Sequence, residues 1–257
     1  MTPLSAAPWP WFVVGGALVG TLTGFFGVGG SSIATPVLSL LGVPGLLAIA
    51  SPLPATIPSA IAAAIPYIRS KAARPRAAAW SLGGALPATV AGALLSEVVG
   101  GSTLLVASGI VLIPVGLRVV RPIGEGSRHA GTARRQNRPL LVAASAAVGL
   151  FTGLLANGGG FLLVPMYLLL FGLTMTEAAG TSLLVISVLT MPTLVTHWAL
   201  GHIDWSVAGA FAVGAVPASM LSGIAAQRTP GGATRRAFGW FLALSGAAFA
   251  LYRLTTG

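Results

Sequence analysis

Two glycine-rich breaks interrupt apolar segments of this chain, and they hold its best-placed chemistry. The first reads Thr23-Gly24-Phe25-Phe26-Gly27-Val28-Gly29-Gly30-Ser31 and is followed by Pro36; the second reads Thr152-Gly153-Leu154-Leu155-Ala156-Asn157-Gly158-Gly159-Gly160 and is followed by Pro165. A helix that restarts after such a break presents N–H groups with no intrahelical partner and about half a positive charge. That is an anion site that needs no cationic side chain. Glycine lets a ligand come close to the backbone. The candidate substrate-binding residues are therefore Gly29, Gly30, Ser31 and Ser32 in the first break and Asn157, Gly158, Gly159 and Gly160 in the second. Ser51, Thr181 and Ser182 are further candidates as hydroxyl donors. Small residues also let membrane helices pack closely. The duplication, the neighbouring hydroxyls and the trailing prolines favour a binding cavity over packing alone.

The elements that hold these breaks must lie in lipid. Of 257 residues, 55% are hydrophobic and only 7% charged, and the mean hydropathy is +0.90. A soluble domain carries about 25% charged residues, so this chain cannot cover a water-facing surface of its own size. Its 35 glycines and 18 prolines are tolerated better in membrane helices than in soluble ones. The net charge of +10 does not point to nucleic acid, because the basic residues cluster in short loops between apolar spans, the positive-inside pattern. The first Lys or Arg is Arg69, so residues 10–30 lack the basic flank of a cleavable signal peptide. With no cysteine, disulfides, thiol catalysis and Cys-based metal sites are excluded.

The apolar segments predict an all-α, polytopic integral membrane protein. Residues 11–27 and 31–41 flank the first break. A proline-interrupted segment follows at 46–68, then a basic loop with Arg69, Lys71, Arg74 and Arg76. Residues 77–96 and 102–120 are two spans joined at Gly100-Gly101. The polar stretch 121–138 reads as a linker. The plan then repeats, with 139–156 and 161–171 around the second break, 176–199, a turn at Gly201-His202-Ile203-Asp204, 205–226, and 237–252. At a spacing of about 130 residues, Ser51-Pro52 aligns with Thr181-Ser182, Tyr67 with His197, and Pro87 with Pro217. The expected organisation is a first membrane repeat at 1–120, a cytoplasmic basic linker at 121–138 and a second repeat at 139–257.

Charge sets the topology. If an odd number of crossings separates residue 138 from the turn at 201–204, loop 228–236 joins the other basic loops in the cytoplasm. Of the Lys and Arg residues only Arg253 then lies elsewhere. The pair 139–156/161–171 must then enter and return as a hairpin. Residues 161–171 reach only ~16 Å at 1.5 Å per residue, about half a bilayer. The halves are expected to be inverted repeats. Each has a broken, re-entrant helix pair and three further helices, giving about eight membrane segments around a midplane site.

Most other ionisable residues read as structural. Thr174-Met175-Thr176-Glu177 fits a capping box, and Asp204 before Trp205 fits an N-cap. No acid or base lies clearly at mid-membrane, which argues against a buried carboxylate proton relay. His197 is the one candidate for coupling, weighed against an interfacial hydrogen-bonding role. An intramembrane enzyme would need a nucleophile–base pair or a metal cluster. Neither pattern is present, so no catalytic residue, metal or cofactor is expected. A passive anion channel remains the alternative to a carrier.

At these residues the chain resembles the TauE/SafE family of sulfite and organosulfonate exporters, also called the toluene sulfonate uptake permease family. The resemblance rests on the two Gly-Gly breaks with trailing prolines, on Gly180-Thr181-Ser182-Leu183, and on Gly201-His202-Ile203-Asp204-Trp205. It spans residues 11–252. It implies a multi-pass protein of the bacterial inner (plasma) membrane that transports small sulfur-containing anions. Two departures weaken the first-half hydroxyl cluster: Ser31 replaces a third glycine, and Pro52 stands where the second half has Ser182.

Overall fold

The computed structural model describes residues 8–99, 101–121, 137–154 and 160–256. The described residues form helices only. In the first half these are α1 (Trp9–Phe26), α2 (Ser31–Leu40), α3 (Gly45–Ala50), α4 (Leu53–Arg69), α5 (Pro75–Val99) and α6 (Gly101–Val120). The second half has α7 (Arg138–Leu154), α8 (Gly160–Leu169), α9 (Met175–Ala199), α10 (Trp205–Arg228) and α11 (Gly231–Thr256). Among them, Trp9–Phe26, Leu46–Arg69, Met175–Ala199 and Trp205–Arg228 are long and apolar enough to cross a membrane. Large apolar side chains such as Val14, Val213, Leu221 and Leu244 point outward from these helices and α11. Lipid can cover such a surface; water would not.

Local chemistry sets the boundaries. Thr174 and Glu177 form a complete capping box at the start of α9. Asp204 caps α10, its Oδ1 accepting from the N–H groups of Ser206 and Val207 at 2.9 and 3.2 Å. Helix α1 ends at Gly27, whose φ of 73° lies in the left-handed region that glycine adopts without strain. The apolar segment expected at 46–68 is itself divided at Ser51-Pro52 into α3 and α4. The linker residues 122–136 lie outside the described residues.

Close helix contacts come in mated pairs. A Cβ at Gly20 of α1 would strike the Ala215 carbonyl of α10, and one at Gly149 of α7 would strike the Ala85 carbonyl of α5. Likewise Gly214 of α10 meets the Val13 carbonyl, and Gly84 of α5 meets the Val142 carbonyl. These four contacts are two pairs under the alignment of the halves. Gly16, Gly20 and Gly24 follow Phe211, Ala215 and Ser219 in step, so α1 and α10 run parallel. Gly84 and Gly92 follow Val142 and Leu150, so α5 and α7 do too. Helices α6 and α11 meet at Gly116 and Gly239, each backbone pressed on the other. Small residues allow such backbone approach and the dispersion contacts that hold membrane helices together.

Two ends of the bundle can be told apart. At one, the N–H of Arg74 donates to Thr181 Oγ1 at 3.1 Å and Arg74 Nε donates to Glu177 Oε1 at 3.0 Å. Helix α4 therefore ends where α9 begins. At the other, the N–H of Asp204 donates to Ser51 Oγ at 3.0 Å, so α9 ends where α4 begins. Arg138, at the start of α7, lines the same cavity as Phe171 and Leu173, which follow α8, and as Arg74. The chain thus leaves the arginine-rich end through α7 and comes back to it after α8. Helix α8 has 10 residues and is enclosed by protein, with Leu163, Val164, Met166, Tyr167 and Leu168 all buried.

Candidate functional site

The break between α1 and α2 is satisfied on its carbonyl side. The Tyr67 hydroxyl donates to the Gly24 carbonyl at 2.8 Å, and Ser182 Oγ donates to the Gly27 carbonyl at 2.6 Å. The N–H of Gly27 returns to the Thr23 carbonyl at 2.8 Å. The N–H side differs: no side chain caps α2. The first N–H groups of a helix have no intrahelical partner, so the start of α2 keeps its donors and its partial positive charge.

Hydroxyls surround that start. A Cβ at Gly30 would stand 3.2 Å from Thr23 Oγ1 and 3.8 Å from Thr56 Oγ1. Val19 Cγ1 would stand at 3.3 Å as well, so the absence of a side chain at Gly30 lets α1, α2 and α4 close tightly around the break. Ser31, the first residue of α2, is buried at 3% exposure. Its hydroxyl has no hydrogen-bond partner; nor have those of Thr23 and of Ser59, one turn beyond Thr56 on α4. Buried polar groups normally have partners, and leaving one unpaired costs about 1–3 kcal/mol. Of these three hydroxyls, those of Thr23 and Ser31 stand at the uncapped start of α2. The carboxylates of Glu177 and Asp204 are held at the two ends of the bundle.

Phe26 and Phe161, which flank the two breaks in sequence, share one aromatic neighbour. Phe26 precedes the first break and its ring lies 5.5 Å from that of Phe241 on α11. Phe161 follows the second break and its ring lies 5.9 Å from the same Phe241, on a stacked geometry. Gly160 begins α8. Asn157, Gly158 and Gly159 lie outside the described residues, as does the side chain of Ser32.

The profile of the sulfite exporter TauE/SafE family matches residues 12–249. The chain belongs to the TauE/SafE family. Its TauE/SafE membership agrees with its relatives. It is 28% identical over 228 residues to the probable membrane transporter protein YunE of Bacillus subtilis (strain 168), covering 79% of this chain and 83% of the relative. It is 29% identical over 218 residues to a probable membrane transporter protein of Xylella fastidiosa (strain 9a5c), covering 83% of each. No solved structure shows a significant match.

Within this TauE/SafE chain the structure divides the residues singled out from sequence. Gly29, Gly30 and Ser31 line the first break, and Ser182 reaches it as a donor to the Gly27 carbonyl. Ser51 and Thr181 stand elsewhere, at opposite ends, as acceptors for the starts of α10 and α5. His197 lies in the last turn of α9, its Nδ1 3.3 Å from Nδ1 of His202, at the Ser51–Asp204 end rather than at the break. Sequence reasoning did not single out Thr56, Ser59 or Phe241. Thr56 and Ser59 carry a readable signal: two hydroxyls three residues apart inside an apolar span share a helix face. Phe241 carries none, since a phenylalanine in a spanning helix is unremarkable.

Proposed function

We propose that this protein is a multi-pass carrier of the bacterial plasma membrane for small anions, with sulfite or an organosulfonate as substrate. The coarser reading, a membrane transporter, is that of its family and relatives. The observation that carries the finer one is the shared stacking of Phe26 and Phe161 on Phe241. It supports two helix breaks that serve one region instead of two separate ones. The unpartnered hydroxyls of Thr23, Ser31 and Ser59 suit an oxyanion, which must replace its hydration shell with donors when it leaves water.

Residues 1–120 and 139–257 act as two inverted repeats on this reading, joined by the basic linker 121–138. The arginine-rich end faces the cytoplasm, as the positive-inside pattern requires. The mated contacts of α1 with α10 and of α5 with α7 support two structurally similar halves that rock about a central site, as in other transporters built on inverted repeats. Such a protein moves its substrate unchanged and is not an enzyme.

Flux into proteoliposomes tests the proposal. Sulfite, sulfoacetate, thiosulfate and sulfate are offered as labelled solutes. Uptake of one or more of them, accelerated by the same unlabelled anion on the far side, is the expected result. Uptake without that acceleration identifies a passive channel. No uptake of any of the four overturns the substrate assignment.

A further inference from the structure

A second anion-seeking feature lies at the arginine-rich end of the bundle. A cavity of about 890 Å³ opens at the arginine-rich end, between the starts of α5 and α7 and the residues that follow α8. Arg74, Arg76 and Arg138 supply its charge. Glu177 pairs with Arg74, and among the described residues no carboxylate pairs with Arg76 or Arg138. The Arg138 guanidinium sits 5.3 Å from the ring centre of Trp80, which holds it at the mouth. Leu141, Phe171 and Tyr167 form an apolar wall.

Tyr167 forms part of the inner wall of the cavity. Tyr167 is fully buried, and its hydroxyl donates to Ser81 Oγ, itself fully buried, at 2.6 Å. A bare inorganic oxyanion would use the arginines and leave the apolar wall wet. An amphiphile uses both surfaces. Arginine holds a phosphate through two parallel N–H donors, and basic pockets between helices on the cytoplasmic side suit anionic lipid headgroups. Exposed Trp80 beside arginine is the pattern of a membrane–water interface.

We propose that this cavity binds an anionic phospholipid, with its phosphate between Arg76 and Arg138 and its apolar portion against Leu141 and Phe171. The test uses the full chain in nanodiscs of equal phosphatidylglycerol and phosphatidylcholine, with retained lipid counted by native mass spectrometry. Wild type retains phosphatidylglycerol in excess. R76Q and R138Q each lower that excess about fivefold, the share expected of one arginine near a lipid surface. L141W, which fills the cavity and keeps every charge, lowers it too. R228Q, at the end of α10, leaves it unchanged. Helical circular dichroism and monodisperse elution verify that the variants fold. Equal retention of the two lipids by wild type overturns the proposal, and this arm needs no variant. So does an unchanged ratio in folded R76Q, R138Q and L141W. Displacement of the lipid by millimolar inorganic phosphate or methanesulfonate overturns it in favour of a free oxyanion.

Discussion

The backbone N–H of Asp204 donates to Ser51 Oγ at 3.0 Å, and Arg74 repeats the relation with Thr181 Oγ1 at 3.1 Å. Ser51 and Thr181, like Arg74 and Asp204, stand 130 residues apart in the sequence. Each donor stands immediately before a helix, α10 or α5, and each acceptor belongs to the opposite half. The two bonds therefore fasten the halves together at both ends of the bundle. S51A and T181A are expected to lower thermal stability by similar amounts, each about 1 kcal/mol. T181S keeps the hydroxyl and stays near wild type. The two losses add in the double variant, because the sites share no partner. Unfolding of purified protein in detergent measures all four. A large loss in one single variant with none in the other would break the equivalence.

Glycine contacts make a harsher version of the same comparison. Gly20 and Gly149 each press on a backbone carbonyl of the other half, and a backbone cannot step aside as a side chain can. G20L and G149L are expected to abolish folded protein, read as recovery of a monodisperse peak. Overpacking of this kind costs about 1–3 kcal/mol, sometimes more. Gly209 also lies in a spanning helix but has nothing within 4 Å of an added Cβ. G209L is expected to be recovered at wild-type level. Equal recovery of all three would mean that α1 and α7 do not pack as described.

Much of this was legible before the structure, and the division follows physical range. The capping box at Thr174–Glu177 and the cap at Asp204 are decided by neighbours within three residues, so the sequence carries them whole. The spans follow from composition. The partners of Ser51 and Thr181 lie more than 100 residues away, and nothing local distinguishes a hydroxyl that receives a helix start from one that faces a substrate. The hydroxyls of Thr56 and Ser59 depend on which face of α4 turns toward α1. That is settled by contacts between the two helices, such as the bond from the Tyr67 hydroxyl of α4 to the Gly24 carbonyl of α1, not by Thr56 and Ser59 themselves.

Because the sequence has no cysteine, single thiols can report sidedness without a background. Ser70 follows α4 at the arginine-rich end, and Gly201 lies in the turn before Asp204 at the other. In intact cells, a membrane-impermeant maleimide is expected to label G201C and to spare S70C until the membrane is opened. Cysteines in both loops labelled from the same side would contradict the hairpin formed by α7 and α8, since α9 would then fail to connect opposite faces.

Ser31 separates stability from function. Its hydroxyl is buried without a partner, so in the empty protein it contributes only the cost of lost hydration. Alanine removes that cost and is the better helix former. S31A is therefore expected to melt no lower than wild type. If the hydroxyl donates to a bound oxyanion, the same variant loses a charge-assisted bond, typically about 1.5–3 kcal/mol, and half-saturation of flux should weaken at least about tenfold. Gly30 gives the steric counterpart. Its φ of −61° is open to any residue, so G30V strains no backbone. Its side chain crowds Thr23 Oγ1 and Val19 at the break, and flux should vanish while membrane insertion persists. Wild-type half-saturation in S31A together with wild-type flux in G30V would mean that the anion binds elsewhere. The unpaired hydroxyls of Thr23, Ser31 and Ser59 would then need another occupant.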